Sequence, residues 1–159
     1  MKLKSLLFLT FTLVLFGCYH LQDNPDFKRA KAYGLPIYVS HLEVYPPNSA
    51  GGVNVAIWIR NISERPFKYV YLTLKPYNRV GDLQSSEIGN HIRSSIKLTG
   101  PIKALGTEGG QYKNLWYNHS IRCAELVKIE IVYFDGDSTV ITGEELSKAT
   151  EPIKNSCAF

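Results

Sequence analysis

The sequence has few of the side chains that bind metal ions. It contains a single methionine, the initiator, which excludes a methionine-rich copper site. Only three cysteines are present, and no histidine stands at metal-ligand spacing from another histidine or from a cysteine. We therefore predict neither a metal ion nor another cofactor. The four histidines are interpreted as surface or strand residues: His20, His41, His91 and His119.

Positive charge is also limited. The formal net charge is +4, too little to suggest a nucleic-acid partner, and no dense Lys/Arg cluster adds to it. The nearest to a cluster is residues 28–31 (KRAK), close to the N-terminus. These side chains fit either a position near anionic lipid head groups or a solvated linker. We predict no nucleic-acid binding.

No catalytic arrangement stands out in the sequence. Asp135 and Asp137 place two carboxylates on one turn, but calcium requires six to eight oxygen ligands. The serine pairs at 85–86 and 94–95 lack the context of a nucleophile elbow. The prediction is that the chain is not an enzyme. Two alternatives stay open: an envelope hydrolase whose carboxylates converge in the fold, and a carrier of a small ligand or metal.

The N-terminus has the pattern of an export signal. Lys2 and Lys4 precede an apolar run over residues 6–16, interrupted only by Thr10 and Thr12. A run of this length matches a signal-peptide core, whereas a membrane-spanning helix needs about 20 apolar residues. The segment ends in residues 15–18 (LFGC), which resemble the lipobox of bacterial lipoproteins.

The lipobox resemblance implies a specific modification of Cys18. In that family the cysteine thiol is joined to diacylglycerol, the signal (here residues 1–17) is removed, and the new amino group is acylated. Tyr19, rather than aspartate, follows Cys18 and by the same resemblance favours the outer membrane. We therefore predict a lipid-anchored envelope protein facing the periplasm or the cell surface. Residues 18–35 are polar and are predicted to be an irregular tether.

Two cysteines remain once Cys18 carries lipid. Cys123 and Cys157 form an even pair in an oxidising compartment, so we predict a disulfide that joins the C-terminal tail to the domain. Two free buried thiols, or a metal pair, are the alternatives.

After Pro36 the apolar residues recur with a period of two, which is typical of β-strands. An Asp-Gly turn at residues 135–138 predicts a hairpin. Thr142 and Glu145 have the spacing of a capping box, which predicts a short helix over 144–149. The predicted fold is all-β, with a β-sandwich over residues 36–142. The short helix and a disulfide-linked tail follow over residues 143–159. A small β-barrel is the alternative fold. Strands are predicted at about 37–44, 53–60, 67–77, 93–98, 112–118, 127–133 and 139–141, a loop at 106–110, and nothing definite at 83–90.

Several turn and core segments resemble bacterial Ig-like domains of the FxLYD type. The resemblance implies an Ig-like β-sandwich in an extracytoplasmic module, and it carries over no catalytic residue. The segments that carry it are 53–55 (VNV), 61–63 (NIS), 66–70 (PFKYV), 77–82 (YNRVGD), 100–101 (GP) and 131–136 (IVYFDG).

Aromatic residues on predicted strands are the most distinctive feature of the domain. If Trp58, Tyr69 and Tyr71 share one outer sheet face, that face can bind a peptide, glycan or protein, because Trp and Tyr are enriched at binding hot spots. Alternatively, the tether, the helix or the tail covers it. The predicted function is a lipid-anchored, non-catalytic interaction module for an unidentified envelope protein.

The lipid anchor is tested by Cys18→Ala. Without the thiol no diacylglycerol can be attached, and we expect loss of palmitate labelling and release of the protein from the membrane fraction. Two or three acyl chains, at about 0.8 kcal/mol per buried CH₂, account for stable anchoring. Equal membrane association of the wild type and the variant would contradict the prediction.

Overall fold

Alternation of apolar and polar residues produces long strands in this chain. The computed structural model describes residues 24–150 and Cys157; the predicted signal peptide, Cys18 and the start of the predicted tether lie outside these residues. Within them the strands are β1 (Ile37–Val44), β2 (Gly52–Asn61), β3 (Phe67–Tyr77), β4 (Ser94–Ile102), β5 (Thr107–Tyr117), β6 (Cys123–Tyr133) and β7 (Ser138–Ile141). The helices are α1 (Pro25–Ala32) and α2 (Gly143–Ala149).

The strands form two antiparallel sheets, which confirms the predicted β-sandwich. One sheet has the order β1-β2-β5 and the other β4-β3-β6-β7. The chain changes sheet between β2 and β3, between β4 and β5, and between β5 and β6, the pattern of Greek-key connections. β3 is a central strand between β4 and β6, and β6 and β7 form the predicted hairpin.

The core lies between the inner faces of the two sheets. Inward side chains at every second position of β2, β3 and β6 are fully buried, and Trp116 and Ile121 join them. Irregularities between Val39 and His41 and between Thr73 and Leu74 shift the register locally. The central positions are Val55, Ile57 and Ile59 of β2, Val70, Leu72 and Leu74 of β3, and Ile129 and Ile131 of β6.

The short helix α2 closes one side of the sandwich. Leu146 and Ala149 are buried in the core, and Thr150, just after the helix, forms a parallel bridge with Val39. The helix predicted over 144–149 is therefore confirmed. The capping box is wrong, because the side chain of Thr142 makes no capping hydrogen bond.

The prediction of an irregular tether is wrong for Pro25–Ala32, which form α1. The side chain of Asn24 accepts hydrogen bonds from the backbone N–H groups of Asp26 (2.8 Å) and Phe27 (3.2 Å). The Asn-Pro pair is therefore a helix N-cap followed by proline at the first helical position. Phe27 and Ala30 pack against Tyr38, so this segment is docked on the domain.

Neither α1 nor α2 has the length and apolar character needed to cross a membrane.

Three strands extend by several residues beyond their predicted limits: β4, β5 and β6, which begins at Cys123 instead of 127. β4 continues through Gly100 and Pro101 to Ile102, and β5 begins at Thr107, inside the predicted 106–110 loop. Pairing with β2 explains the second difference: Gly109 and Gly110 lie opposite Trp58 and Ile57. The neighbouring strand thus overrides the low strand propensity of glycine.

Asn61 connects two turns at the same end of the sandwich. Its buried amide donates to the carbonyl oxygens of Arg65 (2.8 Å) and Ile102 (3.0 Å). Its Oδ1 accepts from the backbone N–H of Ser63 at 2.9 Å. The Asn-x-Ser segment of the FxLYD resemblance is therefore a side-chain-stabilised turn in this fold.

The predicted disulfide between Cys123 and Cys157 is present, with a Cα–Cα distance of 5.3 Å. Its partners are 34 positions apart, and it attaches the C-terminal tail to the start of β6. Residues 151–156 lie outside the described part of the chain.

Removing this disulfide tests its contribution to stability. In a soluble C18A background, C123S/C157S is expected to lower the free energy of unfolding by about 3 to 4 kcal/mol, because an open chain gains entropy when it unfolds. Urea unfolding measures the change, and the single variant S85A, which leaves both cysteines intact, is the control. A loss below about 1 kcal/mol would contradict the prediction.

Candidate interaction surfaces

The three aromatic residues predicted to form one face lie on different sheets. Trp58 is on β2 of the three-stranded sheet, whereas Tyr69 and Tyr71 are on β3 of the four-stranded sheet. All three point away from the core, so the two groups lie on opposite sides of the sandwich. The prediction that they share one face is wrong, because strand alternation alone does not say to which sheet a strand belongs.

Tyr69 and Tyr71 form a half-buried patch with Lys97, which we call the tyrosine face. The two rings are 6.3 Å apart between centroids, and the Lys97 ammonium lies 4.0 Å from the Tyr69 ring and 5.7 Å from the Tyr71 ring. In the sheet, Tyr71 lies between Lys97 and Glu130. The patch therefore combines aromatic area with a cation held over the rings.

Trp58 lies on the opposite side, next to the docked helix. Its ring makes an edge contact with His41 at 5.3 Å, and 37% of the residue is exposed. On the same face, the Arg60 guanidinium lies 5.4 Å from the ring of Phe27 in α1. The N-terminal segment thus covers part of this face, as the alternative interpretation proposed, and leaves Trp58 accessible.

A further surface is the loop between β3 and β4, residues 78–93, which we call the long loop. Four aliphatic residues on it are exposed, by 77% for Val80, 43% for Leu83, 60% for Ile88 and 45% for Ile92. Scattered single apolar residues are normal on a surface, and four of them on one loop make the loop a candidate contact surface.

Hydrogen bonds hold the long loop in place. The Asn78 side chain accepts from the N–H groups of Val80 (3.0 Å) and Asp82 (2.9 Å). The Oγ of the buried Ser86 accepts a hydrogen bond from the backbone N–H of Tyr117 at 3.1 Å. The backbone N–H of Ser86 donates to the backbone carbonyl of His91 at 3.0 Å. The exposed aliphatic side chains are therefore displayed by an ordered backbone.

The long loop and α1 lie at opposite ends of the sandwich. The loop joins the end of β3 to the start of β4, at the end where β2 starts and β5 finishes. Helix α1 contacts Tyr38, Arg60 and Ile62, which are at the start of β1 and around the end of β2.

The two carboxylates of the β6–β7 hairpin pair with an arginine. Arg65 forms an ion pair with Asp135 and a second, at 3.0 Å, with Asp137, while its guanidinium lies 3.9 Å from the Tyr133 ring. The backbone N–H of Asp137 and the Arg65 charge lower the pKa of Asp135. Among residues 24–150 and Cys157, no group of three His, Cys, Asp or Glu is placed to hold a metal ion.

A groove of about 550 Å³ lies beside the disulfide, between β6 and α2. Among its described lining residues, Glu125 is the one carboxylate. It accepts a hydrogen bond from the Tyr77 hydroxyl at 2.8 Å; burial and this contact raise the pKa of Tyr77. A hydrolase that works with paired carboxylates requires a second acid facing the first.

Comparisons with known proteins add a distant structural likeness. No protein-family model matches the chain, and no curated protein sequence matches it. Among solved structures it is similar to IrmA from Escherichia coli, with 11% identity and a TM-score of 0.49, over 77% of this chain and 94% of that chain.

The long loop is the surface that sequence reasoning missed. Its aliphatic residues follow neither a strand nor a helix period, and they lie around the turn glycines Gly81 and Gly89. The available signal was this group of aliphatic residues in a segment with turn composition, where solvent-facing polar residues are usual.

The hairpin contact is tested by Arg65→Ala. We expect the pKa of Asp135 to rise towards its ordinary value but to stay below it, because the larger cause, the Asp137 N–H, remains. Since the folded-state pKa is lowered, the contact stabilises the fold above the ordinary Asp pKa and is lost as the pH falls through the lowered value. Carboxyl NMR titration measures the shift, with Arg79→Ala as control; an unchanged Asp135 pKa would refute the assignment.

Proposed function

We propose that this chain is a lipid-anchored cell-envelope protein whose β-sandwich binds another envelope protein without catalysis. The lipobox at Cys18 supports the anchor, and the Cys123–Cys157 disulfide fits an oxidising compartment. The seven strands of the described residues and the Asn61 turn fit the FxLYD-type resemblance, whose members are extracytoplasmic modules.

The long loop is the observation that carries the binding proposal. Exposing Val80, Leu83, Ile88 and Ile92 to water is unfavourable by about 25 cal/mol for each Å² of apolar area that a partner would bury. The hydrogen bonds of Asn78 and Ser86 order the backbone beforehand, so binding loses less conformational entropy. Together these properties describe a preformed apolar contact surface.

The position of the loop favours a protein partner. The chain leading back to Cys18 leaves from α1, which is docked at the opposite end of the sandwich. In a lipid-anchored molecule the long loop then points away from the membrane that holds the anchor. Its apolar side chains are available to a protein in the envelope, and the tyrosine face is a second candidate contact on the side of the domain.

Site-specific photo-cross-linking of the lipidated protein in living cells tests this proposal. A cross-linker at Ile88 is expected to capture one reproducible envelope protein, and a cross-linker at Lys103, exposed at the other end of the sandwich, is the matched control. The variant I88S/I92S, with the cross-linker moved to Val80, should no longer capture the partner. Its free energy of unfolding should change by less than about 0.5 kcal/mol, because Ile88 and Ile92 are exposed.

The position of any adduct decides between the surfaces. Capture by a cross-linker at Tyr71 but not by one at Ile88 would move the site to the tyrosine face and overturn the long-loop assignment. Absence of an adduct from both Tyr71 and Ile88 would count against the interaction module itself.

A further inference from the structure

The edge strand β5 leaves backbone hydrogen-bonding groups available along one side. It pairs with β2, and on its other side the Leu115 carbonyl accepts from the Ser94 hydroxyl of β4 at 3.1 Å. The other edge strands among the described residues are β1, to which Thr150 forms a bridge, β4, and the four-residue β7. The segment from Thr107 to Tyr112 is an edge whose residues are exposed or half-buried.

The register shows which groups face outward. The N–H of Asn61 donates to the carbonyl of Gly106 at 2.9 Å, so residue 106 bonds towards β2. Because bonding alternates along an antiparallel strand, the N–H and C=O groups of Thr107, Gly109 and Gln111 point away from β2. The Gly109 N–H agrees with this direction, since it donates to the carboxylate of Glu108, at 3.3 Å, instead of to a neighbouring strand.

This edge has few of the features that normally prevent strand pairing. Natural edge strands are usually protected by charges, proline or a bulge. From Thr107 to Tyr112 there is one charged residue, Glu108, and no proline. The local irregularity of β5 is at Asn114, with a φ of 52°, beyond this segment. A second strand can therefore approach it closely.

Trp58 lies beside the same segment. It is directly opposite Gly109 on the outer face of the sheet. A Cβ added to Gly109 would be 2.9 Å from Trp58 Cγ and closer still to the Ile57 carbonyl oxygen. The indole thus packs on the glycine backbone and adds an exposed aromatic surface next to the open edge.

We propose that two copies of this chain pair through their β5 edges, antiparallel about a twofold axis at Gly109. The result is a continuous six-stranded sheet in the order β1-β2-β5-β5-β2-β1. Thr107 pairs with the partner subunit's Gln111, and Gln111 with the partner's Thr107, so residues with outward-facing groups meet. A twofold interface uses the same patch on both subunits, a condition that antiparallel pairing of one edge satisfies.

The side chains in this register are compatible with self-pairing. Glu108, the charged residue of the segment, lies opposite the partner subunit's Gly110, and its exposed carboxylate must turn away from the Gly109 N–H when the two Gly109 residues pair. Between the two Trp58 residues stand only the two copies of Gly109, across about 14 Å, or three strand spacings. Two indoles span this gap over the glycines. The pairing depends on neither the long loop nor the lipid.

Sedimentation analysis of the soluble C18A form of the mature chain tests the proposal. The protein with the wild-type β5 edge should form a dimer whose population rises with protein concentration. T107K/Q111K places lysines opposite each other at both pairs and is expected to weaken dimerisation at least about tenfold. T107K/Q111E places opposite charges at both pairs and should restore the dimer, while W58A should weaken it. The matched control S95K/T99K changes exposed positions on the outer face of β4.

Three results would overturn the proposal. The first is a wild-type protein that stays monomeric up to millimolar concentration. The second is a dimer unaffected by T107K/Q111K. The third is failure of T107K/Q111E to restore the dimer although circular dichroism shows the wild-type fold. Loss of the dimer in S95K/T99K would place the interface on the four-stranded sheet instead. Because no envelope partner is present in these measurements, their failure is separate from failure of the cross-linking experiment.

Discussion

Every other feature of this domain depends on burying one face of each sheet against the other. Val55, Ile57 and Ile59 of β2 meet Val70, Leu72 and Leu74 of β3 in a core from which water is excluded. A slip of one residue in any of these strands would turn its whole apolar face towards solvent. The irregularity between Thr73 and Leu74 keeps the apolar positions of β3 and β6 on the inner side along long strands.

This burial leaves the outer faces, the edges and the connecting loops to carry function. On one outer face, α1 covers the area around Tyr38 and leaves Trp58 beside the open edge of β5. On the other, Lys97 lies over two tyrosine rings. At the end away from α1 the long loop presents aliphatic side chains on a backbone anchored by Ser86. The proposed partner and the proposed second copy use different parts of this surface.

Much of the fold was predictable from local sequence because its strands have clear alternation. β1 and β3 have the predicted limits, and the β6–β7 hairpin follows from its Asp-Gly turn. The errors fall where one local pattern has two solutions. Asn24-Pro25 is compatible with a turn or with a helix start, and Phe27 selects the helix by packing on Tyr38. Gly109 and Gly110 are typical of a loop until β2 pairs with them.

The sequence by itself determined the all-β class through its two-residue period, and its residue types favoured a disulfide between Cys123 and Cys157. Only the tertiary structure decided that Trp58 and Tyr71 lie on opposite sheets, that Asp135 and Asp137 pair with Arg65, and that one side of β5 is open. Alternation specifies which side of a strand is buried. The identity of its neighbours depends on long-range pairing, whose energy comes from residues far apart in the chain.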